Sequence, residues 1–181
     1  MLGIMKKSFP LSKVYSLLES GPVVLVSSSW KGRSNLMTMS WHTMIDFDPP
    51  LVGCVISDRN HTFKTVKASG ECVLNIPTLE IAAQTVACGN VSGAKTDKFE
   101  RFGLTPVKAA AVKAPLIKEC YASLECRLHD ARMAGKYNLF IFKVVKAWAD
   151  ASVKAPKTLH HRGGENFMVA GRTVKIPSRM A

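Results

Sequence analysis

Nothing in this chain marks a self-contained catalytic centre. It has no Gly-x-Gly-x-x-Gly, no Walker loop, no His-Glu-x-x-His and no Gly-x-Ser-x-Gly, so the backbone phosphate cradles, the helical zinc pair and the serine elbow are all missing. Its five cysteines, at 54, 72, 88, 120 and 126, form no Cys-x-x-Cys pair, and no zinc or thiol redox motif follows from them. They read as small buried hydrophobes of a reducing compartment. Cys120 and Cys126, placed on one strand, stand about 20 Å apart and out of bonding range. The longest apolar runs, 23–26 and 51–56, fall well short of the roughly 20 residues that span a bilayer. Lys6 and Lys7 near the N-terminus are not followed by the apolar core and small-residue cleavage site of a secretory signal. The expected location is the cytoplasm, with Met5 as reasonable a first residue as Met1.

Negative charge is scarce as well. Only 13 acidic residues face 25 basic ones, a formal +12, which calls for an anionic partner: nucleic acid, phosphate or an acidic protein. Six of the basic residues (Lys154, Lys157, Arg162, Arg172, Lys175 and Arg179) stand against Glu165 in the last 31 positions, leaving +5 there. Five consecutive basic residues occur nowhere, and the basic positions are not interleaved with aromatics as on a single-strand stacking platform. A nucleic-acid-binding module is thus a distant alternative. With 181 residues, 47% of them hydrophobic, the chain can bury roughly 70% of its unfolded surface and needs no metal or disulfide to fold. Residues 1–181 read as a single domain.

What is present is an irregular alternation of short strands and short helices. Leu11, Val14, Tyr15 and Leu18 have the i, i+3, i+4, i+7 spacing of a helix ended by Gly21-Pro22. Strands are predicted at 23–29 and 35–41, joined as a hairpin by Lys31-Gly32-Arg33, then at 51–57, 71–76, 122–128 and 137–149. A helix is predicted at 78–88, capped by Gly89, with a helical turn at 97–102. The alternation of Ala122, Leu124, Cys126 and Leu128 with Ser123, Glu125 and Arg127 predicts a half-buried antiparallel strand. Phe167–Ala170 and 172–176 are expected to close a hairpin around Gly171. The fold class is mainly β, an antiparallel barrel with helical insertions, since no regular βαβ order exists.

Three segments carry candidate chemistry. Ser57-Asp58-Arg59-Asn60-His61-Thr62 lies between an apolar strand and a helix start, where unpaired N–H groups, the dipole and the Arg59 fork suit a phosphate. The same residue types cap helices without binding anything, and both readings stay open. Asn35-Leu36-Met37-Thr38-Met39-Ser40-Trp41 could line a flat, mostly apolar ligand. Val91-Ser92-Gly93-Ala94-Lys95-Thr96-Asp97-Lys98-Phe99 could supply a second wall of the anion site. Asp46 and Asp48 beside Pro49-Pro50 read as turn-shaping residues. His160 and His161, adjacent on a strand, point to opposite faces and lack zinc spacing; no metal is expected.

Taken in order, these segments resemble the flavin reductase-like proteins with an FMN-binding split barrel, flavoredoxins among them. The resemblance runs from about 21 to 149. Its carriers include Pro22-Val23-Val24-Leu25-Val26, the 35–41 strand, Phe47-Asp48-Pro49-Pro50-Leu51-Val52, Val91-Ser92-Gly93 with Asp97-Lys98-Phe99, Gly103-Leu104-Thr105-Pro106, and Ala114-Pro115-Leu116-Ile117 followed by Leu124-Glu125-Cys126-Arg127. The tail His160-His161-Arg162-Gly163-Gly164-Glu165-Asn166-Phe167 is similar to the family's Gly-Gly segment, with Phe167 in place of the commoner Tyr.

The resemblance implies a homodimer of Greek-key split barrels with FMN near the subunit interface, and residues 151–181 packed on the barrel or on the partner subunit. It implies that Met37, Thr38, Met39, Ser40 and Trp41 line the isoalloxazine, chiefly through backbone groups. Ser57, Arg59, Asn60 and Thr62 are then expected at the ribityl phosphate, with Ser92, Gly93 and Lys98 closing over it. The activity implied is an NAD(P)H-dependent flavin reductase, with NADH or NADPH as donor and Trp41 and one of His160 or His161 at the nicotinamide pocket. The alternative is a flavoredoxin-like carrier that receives electrons from a protein, its basic tail docking an acidic partner. No side chain is obliged to move a proton, because the flavin carries the redox chemistry.

Overall fold

The computed structural model describes residues 6–177; Arg179 of the basic tail and the alternative start at Met5 lie outside the described residues. The chain is built on one antiparallel sheet. Strand β1 (Lys7–Ser8) is followed by a short helix α1 (Tyr15–Leu18) and by the hairpin β2 (Val24–Trp30) and β3 (Arg33–Met39). A second hairpin, β4 (His42–Phe47) and β5 (Pro50–Val55), leads through helix α2 (His61–Ser69) to β6 (Glu71–Ile76). Helices α3 (Ala82–Asn90) and α4 (Lys98–Phe102) and a small hairpin, β7 (Pro106–Val107) with β8 (Leu116–Ile117), precede β9 (Ala122–Asp130). The helical turn α5 (Ala134–Tyr137) leads into the long β10 (Leu139–Ala149), and β11 (Leu159–His161) pairs with β12 (Phe167–Val169).

The main sheet runs β3-β2-β6-β9-β10-β5-β4, with β1 added on β10. Alternation sets its inner face, since side chains of one strand point to opposite sides in turn. Val24 and Val26, Met37 and Met39, Val52 and Cys54, Cys72 and Leu74, Leu124 and Cys126, and Phe140 and Phe142 all meet in one buried cluster closed by Leu17, Leu18 and Val66. Inward residues from six strands converge on one core only when the sheet curls into a barrel. A second cluster, with Leu25, Leu36, Cys88, Phe99 and Ile117, packs α3 and α4 on the outside.

Several sequence expectations need correction. Strand β9 is not half-buried: Ser123 and Glu125, on its outer side, are fully buried. The segment 104–120 covers them, and the Glu125 carboxylate accepts the N–H groups of Ala110 at 3.0 Å and Ala111 at 2.5 Å and the Trp148 Nε1–H at 2.7 Å. Asn75 likewise receives the Ile117 N–H at 3.0 Å and the Ser123 hydroxyl at 2.8 Å. Local alternation reports charge and not tertiary cover, so a polar face sealed by a loop reads as solvated. Gly89 lies inside α3, whose end is at Val91. Phe167–Val169 pairs with Leu159–His161 and not with 172–176. The predicted helix at 11–18 divides into a 3-10 turn, Leu11–Lys13, and α1, and Tyr137 belongs to α5 rather than to β10. Strand β4 carries no apolar alternation and was not predicted. All five cysteines are free and buried. No helix among the described residues is long and apolar enough to cross a membrane.

Candidate functional site

Helix α2 starts where the apolar strand β5 ends, so its N-terminus opens at the rim of the barrel beside β3. Asn60 occupies the cap position in extended conformation, but its side chain makes no capping bond. The Asn60 N–H is held by the Ser57 carbonyl at 2.9 Å and the Phe63 N–H by the Asn60 carbonyl at 3.1 Å. Among the described residues no protein acceptor faces the N–H groups of His61 and Thr62, which leaves the positive end of the helix available to an anion.

A pocket of about 290 Å³ lies in front of these groups, between α2, β3, the end of α3 and the 91–93 loop, and it draws in Asn35, Met37, Thr38, Arg59, Asn60, His61, Thr62, Cys88, Ser92, Gly93 and Lys98. Among the described residues no carboxylate lines it. Arg59 is exposed at its mouth and contributes to no ion pair, since Arg132–Asp130 is the one pair among the described residues. The deep wall is Asn35, 5% exposed: its Nδ2 donates to Thr62 Oγ1 at 2.8 Å, while its Oδ1 is buried with no partner. A buried acceptor left unpaired costs about 1–3 kcal/mol, and this oxygen is turned against the backbone of the 91–93 loop. Gly93 is equally constrained: a Cβ there would sit 1.7 Å from Asn35 Oδ1. Only glycine lets the 91–93 loop approach this closely.

Lys98 is buried, and its ammonium donates to the Leu36 carbonyl of β3 and the Cys88 carbonyl of α3, both at 2.6 Å. Burial lowers its pKa, an effect the neighbouring Cys88 partly opposes; burial pushes the Cys88 thiol up to about 11, keeping it protonated. The ammonium ties the sheet to the helix and keeps the positive charge behind the pocket wall. Thr38 is also engaged, its hydroxyl donating to the Thr85 carbonyl at 2.5 Å.

The structure therefore brings together Met37, Thr38, Arg59, Asn60, Thr62, Ser92, Gly93 and Lys98 at one cavity. Ser57 lies behind the turn and accepts the Arg59 N–H at 3.3 Å. Met39 is buried in the barrel core, Ser40 is half-buried just past β3, and Trp41 is 71% exposed beside the edge strand. His160 is buried away from this cavity, its Nδ1–H donating to the Gly21 carbonyl at 3.2 Å while Nε2 faces the Thr158 hydroxyl at 3.0 Å. His161 is exposed and tilts against Phe167 with ring centres 5.1 Å apart. The two rings do point to opposite sides. The sequence reading put Asn35 on the strand that could line a flat ligand but did not join it to Thr62 and Gly93, because a strand asparagine also suits ordinary sheet pairing and the contact depends on where the 91–93 loop returns.

The cavity suits a ligand with an anionic end and further hydroxyl or N–H donors. Unpaired helix N–H groups and Arg59 meet the first need, the Thr62 and Ser92 hydroxyls the second, and the absence of acidic lining among the described residues removes repulsion. The donor set thus fits FMN, whose phosphate and ribityl hydroxyls have this chemistry.

Comparison with known proteins converges on the same class. The flavin reductase like domain model matches residues 17–167. The Escherichia coli protein YddH is 34% identical over 172 residues, 87% of this chain and 91% of that protein. A crystal structure of an FMN-binding domain of a flavin reductases-like enzyme from Shewanella baltica is 29% identical and superposes with a TM-score of 0.92, covering 98% of this chain and all of that one. The FMN reductase (NADH) RutF of Agrobacterium fabrum is 26% identical over 133 residues, 73% of each chain. The chain belongs to the flavin reductase-like domain family, whose FMN-binding split-barrel fold it shares.

Proposed function

We propose that the protein holds FMN in the pocket between α2, β3 and α3 and acts as an NAD(P)H-dependent flavin reductase. In this reading residues 1–181 form one FMN-binding domain and two copies pair as a homodimer. The observation that carries the proposal is the donor set: two unpaired N–H groups at the start of α2, Arg59 at the mouth, and a glycine loop set against an unpartnered Asn35 oxygen. When bound, FMN supplies the hydride-accepting and electron-passing chemistry. Arg59 and the α2 N-terminus balance the phosphate charge. Asn35 fixes Thr62 through its amide and packs against Gly93, so that Ser92 and Gly93 bring backbone close over the tail. Lys98 holds the two walls in register through its carbonyl bonds. Met37 and Thr38, with the backbone of Met39, Ser40 and Trp41, extend toward the ring.

The nicotinamide donor is supported by the name of the Agrobacterium fabrum relative, an FMN reductase that uses NADH. The homodimer is supported by the exposed apolar groups on and beside edge strand β4: Trp41 at 71%, Ile45 at 49% and Phe47 at 56%. An uncovered apolar edge invites pairing. The test mixes purified protein, FMN and NADH or NADPH and follows nicotinamide oxidation. Oxidation well above the rate with free FMN alone is expected. FMN binding without oxidation would instead make the protein an electron carrier reduced by a protein partner, and no FMN binding would sink both readings.

A further inference from the structure

A second cavity, of about 360 Å³, shares no residue with the first and has a different character. It lies between β1, the β7–β8 hairpin and the outer side of β10. Its apolar wall is Val107, Leu116 and Trp148, and four lysines surround it: Lys6, Lys7, Lys108 and Lys118. Among the described residues no acidic residue lines it and none of the four lysines stands within 4.0 Å of a carboxylate, the sole ion pair there being Arg132–Asp130.

Two of these side chains are held rigidly. The Trp148 indole is fixed by its Nε1–H donating at 2.7 Å to the buried Glu125 carboxylate, itself bound to Ala110 and Ala111. The Lys6 ammonium donates to the Ile117 carbonyl and, at 2.9 Å, to Ser123 Oγ, which leaves one proton free. Burial lowers its pKa to about 8, although Cys120, Glu119 and Asp150 pull it the other way. A half-buried cation without a contacting carboxylate is costly unless an anion joins it. The tools of binding are therefore preassembled: a fixed aromatic wall, two aliphatic neighbours and uncompensated positive charge at the rim.

We infer that this cavity, between the β7–β8 hairpin and Trp148, binds a small organic anion with an apolar, planar body, of the arylcarboxylate class. The aryl group lies along Trp148, Val107 and Leu116 and the carboxylate faces Lys6, Lys108 and Lys118. The size suits a small molecule, since ligand pockets start at about 300 Å³. The inference is independent of the flavin reading.

The experiment titrates the full chain with naphthalene-2-carboxylate, with the neutral naphthalene-2-methanol and with inorganic phosphate, following the Trp148 indole N–H signal by NMR and heat by calorimetry. The carboxylate is expected to bind saturably and shift that signal, with the alcohol and phosphate each at least tenfold weaker. The exposed double variant Lys108→Glu with Lys118→Glu, checked for an unchanged melting temperature, is expected to weaken the carboxylate at least tenfold, and Leu116→Ala to weaken it as well. Saturating FMN should leave the isotherm unchanged. Equal affinity for the alcohol, an isotherm indifferent to the charge reversals, a silent Trp148 signal, or no saturable binding of the carboxylate would each overturn the inference.

Discussion

Replacing Gly93 by alanine tests the flavin pocket at its tightest point. The new methyl would fall 1.7 Å from Asn35 Oδ1 and 2.5 Å from its Cγ, so either the amide or the loop must move until contact exceeds 3 Å. Moving the amide breaks its 2.8 Å bond to Thr62 and strands a buried polar group, at a cost of about 1–3 kcal/mol. Moving the loop instead is overpacking, about 1–3 kcal/mol on its own. With a distortion of about 1–3 kcal/mol by either route expressed at the pocket, the Kd for FMN rises about 5-fold to 150-fold. Quenching of FMN fluorescence measures it. Gly135→Ala in α5 is the control: a Cβ there meets nothing within 4 Å, and in a helix alanine is favoured by about 1 kcal/mol. A folded Gly93→Ala protein that binds FMN as well as the Gly135→Ala protein would show that the 91–93 loop does not frame the flavin site.

Further outcomes follow from other contacts. Glu125→Gln swaps one acceptor for a donor against three N–H groups; the loss of about 2–3 kcal/mol should lower Tm by about 4–10 °C while FMN affinity stays unchanged. Lys98→Met removes both carbonyl bonds between β3 and α3, and both thermal stability and FMN affinity should fall, read by melting and by titration. His42 donates from Nε2 to the Pro22 carbonyl at 2.6 Å and its Nδ1 is buried without a partner; burial lowers its pKa below the usual 6.5. The unfolded chain therefore binds the proton more readily, so His42 favours the fold above pH 6.5 and that contribution is lost as pH falls below it through the lowered folded value. Denaturant unfolding across this window should show a shallower acid loss in His42→Gln than in the natural chain.

The strands that frame the site were legible because their inner faces alternate: Val24 and Val26, or Leu124 and Cys126, announce a buried side whatever covers it. The α2 start was legible too, since a polar Ser57–Thr62 turn between an apolar strand and Val66 is where unpaired N–H groups must emerge. Edge strand β4 was not, because His42–Phe47 is mostly exposed and its register shifts between Met44 and Asp46, which spoils the period of two. Glu125 misled for a different reason. A carboxylate inside an alternating strand signals solvent unless distant N–H groups come to it, and Ala110 and Ala111 belong to a loop whose path local pattern does not specify. The role of Lys98 was half visible: its place beside the cavity followed from the 91–99 segment, while its two carbonyl bonds depend on where β3 and α3 meet.

In the proposed reading, Arg59 and the α2 N-terminus hold the phosphate of FMN. Parallel fluorescence titrations with FMN and with riboflavin, which lacks the phosphate, test it most directly in the natural chain and in Arg59→Ala. One FMN per chain is expected to bind saturably, with riboflavin at least about 100-fold weaker and a preference that shrinks by about tenfold or more in Arg59→Ala, riboflavin itself unaffected. Equal affinities for the two flavins, or a preference untouched by the loss of Arg59, would contradict it.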